Sequence, residues 1–157
     1  MKIITLHQPW AHLIAIGYKH YETRSWHTKY RGALAIHSAK RPVSLEELAR
    51  ISNESAGTLD LNFLTALNYE YGKIVVVAEL TDCLAMVDKH HPGRLDSTIK
   101  VSSVSALEKA CGDWRAGRYA WELKDIKKLD APIPYKGRQG LMNVDGATAA
   151  LLSKSCG

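Results

Sequence analysis

The stretch Lys73–Cys83 (KIVVVAELTDC) constrains the fold of this chain more than any other. It opens with an unbroken apolar run dominated by β-branched residues. A short run of that kind reads as a strand buried on both faces at its start. Composition agrees with a packed interior. The chain has 157 residues, 46% hydrophobic and 24% charged, which suits a single domain over residues 1–157 built around one core. A disordered tail, a coiled coil and a collagen-like repeat are excluded by that composition. No apolar run approaches the roughly 18 to 20 residues of a membrane span. The start, MKIITLHQPW, is broken by His7, Gln8 and Pro9 and does not read as a secretory signal. Cys83, Cys111 and Cys156 are odd in number and form no C-x-x-C pair, so neither a disulfide framework nor a structural zinc is expected. The expected compartment is the cytoplasm.

Around that strand the sequence alternates short β and α signals. Met1–His7 reads as a strand. Pro9 suits a first helical position, and Trp10, Leu13, Ile14 and Gly17 follow on one helical face, with Gly17 placed to end the helix. Lys19–Trp26 and Gly32–Ser38 read as two strands joined by a polar turn, a β-hairpin. Ser44 and Glu47 match a capping box. Leu59–Leu67 and the segment from Ser103 or Ser105 to Ala110 read as further helices. Arg118–Leu129 alternates as a long strand, Pro132 and Pro134 are expected to interrupt any regular element, and Leu141–Val144 is a closing strand. Separated strands with helices between them predict an α+β barrel-like sheet. Neither G-x-G-x-x-G nor a P-loop is present, so no nucleotide cofactor is expected. Asp88, His90 and His91 lack a spaced ligand set and read as a polar loop, with no metal expected.

Charge is distributed unevenly. Residues 1–44 hold seven Lys/Arg against one carboxylate, Glu22; residues 45–113 hold six against eleven; residues 114–157 hold eight against four. Two basic ends flank an acidic middle. If the ends meet in the fold, they form one positive surface suited to phosphate backbones, or to an acidic protein partner.

The densest chemistry lies in residues 17–26, GYKHYETRSW. Arg24 offers a planar fork for phosphate and Lys19 a mobile point charge. Glu22 and Arg24 share a strand face at period two, whereas Lys19 has the opposite parity. A bulge, or Lys19 lying just before the strand, is needed to join the three. The plain alternative is a half-buried Glu22–Arg24 ion pair that orients the strand. Trp10, Tyr21 and Trp26 surround these residues, and aromatic faces beside cations suit unpaired bases; Trp10 equally suits core packing. Gln8 is placed to bond a base edge, and His7 either stands at the rim or is buried with a partner.

These residues also carry a resemblance. TLHQPWA (5–11), G-x-K-x-x-E-x-R-S-W (17–26), Y-R-G-x-L-x-I-H-x-A-K (30–40), V-x-x-A-E-L-x-D-C (75–83) and KGRQGLM (136–142) together resemble an ASCH domain, of the type at the carboxyl end of the activating signal cointegrator family. The likeness runs from Ile4 to Val144, apart from residues 42–71 and the loop after Asp88. It implies a PUA-like mixed β-barrel with flanking helices and a cleft beside the first helix. It also implies binding of RNA or DNA, with Lys19, Glu22 and Arg24 as signature residues. Some family members are hydrolases acting on RNA or a modified nucleoside, which would make Lys19, Glu22 and Glu79 catalytic. The threonine that the amidohydrolase branch carries three residues after its lysine is Glu22 here, which speaks against that chemistry.

The leading expectation is therefore a nucleic-acid-binding domain. Lys19, Arg24, Lys29, Arg31, Lys40, Arg41, Lys136 and Arg138 would contact phosphate, and Gln8, Trp10 and Tyr21 would frame the cleft. No cofactor, metal or membrane is implied.

Overall fold

In a computed structural model, which describes residues 1–94 and 96–156, the chain forms a mixed seven-stranded sheet with five helices packed around it. The elements are β1 (Lys2–Leu6), α1 (Trp10–Ala15), β2 (Tyr21–Arg24), β3 (Gly32–Ser38), α2 (Leu45–Glu54), α3 (Leu61–Ala66), β4 (Lys73–Val87), β5 (Thr98–Lys100), a 3-10 turn at Val101–Ser103, α4 (Ala106–Ala110), β6 (Tyr119–Pro134), β7 (Met142–Asn143) and α5 (Gly146–Ser155).

β4 is the spine. It pairs antiparallel with β3 on one side and β6 on the other, and its far end pairs parallel with β5. Both of its faces are covered, as the apolar run requires. Val76, Ala78 and Leu80 join Ile4, Leu34, Ile36, Ala11, Ile14 and Trp121 in the main core, over which α1 lies. Ile74 and Val77 face the other way, with Ile3, Ala35 and Leu129, and Leu152 of α5 closes that side. α2, α3 and the end of α4 make a third cluster against Leu13.

Several expectations change. β2 and β3 are not a hairpin: β2 pairs only with β6, while β3 lies between β1 and β4. Burial explains it. Five consecutive residues of β3, Leu34–Ser38, are buried, which suits an interior strand, whereas only Glu22 of β2 is buried, which suits an edge. β6 continues through Pro132 and Pro134. Beyond Leu123 its only neighbour is β4, so a missing proline N–H faces an unpaired edge. Pro9 stands at the N-cap instead of the first helical position, and the Gln8 side-chain oxygen takes over the cap by accepting from the His12 N–H at 2.9 Å. Gly17 does follow the helix with φ +86°, the left-handed conformation that ends it. The sequence reading contained no counterpart to α5.

The expected barrel does not close as a backbone ladder. Strand order runs β2-β6-β4-β3-β1-β7 without returning to β2. The β1 carbonyl that faces the gap is engaged otherwise: Thr5 O accepts from Arg24 Nη2 at 3.3 Å, while Leu6 O stays on the β3 side, accepting from the Ala39 N–H at 2.8 Å. A side chain, not a strand pair, spans the gap between β2 and β1.

Candidate nucleic-acid interface

That gap opens into a wide cleft of about 1370 Å³. Its floor is Thr5, Leu6, Glu22 and His37. Arg24, Ser25 and Trp26 at the end of β2 form one wall, and residues 135–140 after β6 form another, with Lys40 and 71–73 alongside.

The polar chain on its inner side starts at Lys19, which does lie just before β2. Its side chain is 1% exposed. The ammonium donates to Tyr21 O at 2.5 Å and Cys111 O at 2.7 Å, and lies 3.7 Å from Glu22 Oε2. A buried ammonium persists only with such acceptors and a counter-charge. Its donors are thus turned inward, away from the cleft. Glu22 Oε1 is 3.1 Å from Arg24 Nε, at an angle too oblique for a hydrogen bond, so the contact is an ion pair only. Lys19 and Arg24 thus neutralise Glu22 from both sides, and the Arg24 side chain keeps 26% of its surface exposed toward the cleft. The ion pair and the cleft-facing cation are one arrangement.

Behind Lys19, Glu108 of α4 accepts from the His20 N–H at 2.5 Å, while its other oxygen has no partner. Burial pushes its carboxyl above the ordinary range, against the pull of the Lys19 charge. Burial likewise pushes the Cys111 thiol up to about 11, leaving it a poor thiolate.

On the opposite wall His37 is buried. Its Nε2 lies 3.0 Å from Tyr135 O, and since a carbonyl only accepts, Nε2 carries the proton. Nδ1 then accepts from the Thr5 hydroxyl at 3.2 Å. Burial holds the imidazole below its ordinary pKa, although the carbonyl it donates to works the other way. The 135–140 loop lies directly on this ring. A Cβ on Gly137 would run into the imidazole and come within 2.8 Å of Thr5 Oγ1. The missing side chain is what lets Lys136 and Arg138 approach the sheet.

Of the residues the sequence singled out, Trp10, Glu22, Arg24, Lys40, Lys136 and Arg138 come together at the cleft. Others do not. Gln8 is buried and uses both ends of its amide, donating to Glu70 O at 2.7 Å as well as capping α1. Tyr21 packs edge-on against Trp114 on a separate cluster. Lys29 and Arg41 are exposed outside the cleft, and Arg31 is paired with Asp82 at 3.0 Å. Glu79 shares the face of Val77, opposite Ala78 and Leu80, so Lys19, Glu22 and Glu79 do not converge. Thr23 Oγ1 accepts from the Asp113 N–H at 3.1 Å. No nucleophile with a positioned base is assembled from these groups. Arg118, Lys73 and His37 were missed. The first enters through the pairing of β2 with β6, which no local pattern announces. Among the described residues no group of three or more His, Cys, Asp or Glu is placed to hold a metal, and no helix is long and apolar enough to cross a membrane.

Fold and site together define a small α+β domain whose curled mixed sheet opens, between its two ends, into a cationic cleft. The chain belongs to the ASCH domain family, whose profile matches residues 4–133. It is 30% identical over 147 residues to activating signal cointegrator 1 of Mus musculus and, equally, to that of Homo sapiens. The alignment covers 92% of this chain but 25% of each relative, so the chain spans about a quarter of the length of those proteins.

Proposed function

We propose that this domain binds RNA or DNA in the cleft, with Arg24, Lys40, Arg118, Lys136 and Arg138 on the phosphates. One observation carries the reading. Six Lys/Arg line the cleft against a single carboxylate, Glu22, and that carboxylate is already neutralised by Lys19 and Arg24. A concave surface with one sign of charge concentrates a polyanion. The family supports it, since the PUA-like folds that ASCH domains resemble are associated with nucleic-acid binding. Lys19 acts from behind, holding Glu22 so that Arg24 projects. Lys29 and Arg41 flank the cleft as exposed cations and would add contacts on a longer strand. Phosphate contacts of this kind position the ligand without reading its sequence. Short RNA and DNA oligonucleotides titrated at low salt test the reading. They should bind, and Arg24→Ala combined with Arg138→Ala should abolish most of the affinity.

A further inference from the structure

Trp26 is a large apolar side chain left 38% exposed while lining a cleft of cations. It is nevertheless held in place. Its ring stands edge-on to the fully buried Trp121, with centroids 4.8 Å apart and planes at 84°. An aromatic anchored on one side by the core and open on the other is a pre-organised surface. Trp10 lines the same cleft but is otherwise engaged, with Lys19 Nζ 5.9 Å and the Arg50 guanidinium 6.0 Å from its ring centroid. Trp26 follows Arg24 by two residues, in the bend just past the end of β2, and both line the cleft. Arg118 and Arg138 line the cleft with them.

We propose that Trp26 is the stacking platform for an unpaired base, so that the cleft takes single-stranded nucleic acid whose adjoining phosphates lie on Arg24, Arg118 and Arg138. This rests on the reading of the cleft as a nucleic-acid interface and narrows it. A base inside a duplex does not present its face to a side chain, whereas an unpaired base stacks on an aromatic ring regardless of its identity.

The test compares three probes on the full chain: a short oligothymidylate, the same backbone with abasic residues, and the oligothymidylate annealed to its complement. The wild type should bind the oligothymidylate about tenfold or more tightly than the abasic strand, and more tightly than the duplex. Trp26→Ala should erase the advantage over the abasic strand while leaving abasic binding unchanged, and Trp26→Phe should retain most of it. A merely structural role for Trp26 would weaken both strands equally, and that result would overturn the proposal. So would a wild type that binds base-containing and abasic strands alike, or that prefers the duplex, although the nucleic-acid reading would survive. Binding to none of the three would remove both.

Discussion

Gly137 concentrates the logic of the cleft in one residue. The basic loop that carries Lys136 and Arg138 rests on the His37 imidazole at a point where a methyl group has no room. Gly137→Ala forces either the loop or the ring to move, and overpacking of this kind costs about 1 to 3 kcal/mol. Urea unfolding should show that loss, whereas Gly146→Ala, where an added Cβ meets nothing within 4 Å, should show none. Equal midpoints for the two variants would mean that the loop does not pack on His37. At this scale the sequence was partly legible. Period two already placed Glu22 and Arg24 on one face, whereas Trp26 lies past the end of β2, where that parity no longer applies. Lys19 escaped that logic. Its residue type suggested a solvent-facing cation, but its role depends on Cys111 O, which is 92 residues away in sequence. The place of Gln8 lay outside local reading for a similar reason, since the Glu70 carbonyl that claims its amide comes from a distant loop.

At the level of elements, the helix closing the second face of the sheet carries an unrecognised share of stability. Leu152 of α5 is fully buried against Ile3, Ala35, Ile74, Val77 and Leu129. Leu152→Ala should destabilise the protein by about 2 to 5 kcal/mol, measured by chemical denaturation. A loss below about 1 kcal/mol would mean α5 is dispensable to the core. The apolar run of β4 implied a cover on both sides, yet the cover itself was not read from GATAALLSKS, whose apolar residues do not fall on a narrow stripe. Its start was marked all the same, because Asp145 accepts from the Thr148 N–H at 2.9 Å. The strands were legible as strands, but not as neighbours. Period and propensity act within a segment, whereas the placement of β2 beside β6 is decided by which strand tolerates an edge. The pairing that creates the cleft therefore lay outside local reading.

The whole molecule is tuned by buried imidazoles. His12 and His37 are both held below their ordinary value of 6.5, chiefly by burial. Below that value the unfolded chain takes up protons that the native chain resists. Their stabilisation is therefore complete above about 6.5 and is lost as pH falls toward the native values. Glu108, raised above 4.5, slopes the other way, its contribution fading as pH rises. Denaturation midpoints should thus drop between pH 7.5 and 5.5, and His37→Asn should flatten the drop if the variant folds. A pH dependence left unchanged by His37→Asn would contradict the buried neutral imidazole at that position. The central claim concerns charge on the same scale: two basic ends of the chain, separated by an acidic middle, meet across one cleft. It is tested most directly by the salt dependence of oligonucleotide affinity. Each phosphate neutralised contributes about −0.7 to the slope of log K against log salt on single strands. The wild type should show a steep negative slope. Arg138→Ala should make it shallower by about one such increment, and Lys29→Ala, outside the cleft, should change it less. A slope near zero, or one untouched by loss of Arg138, would contradict the account.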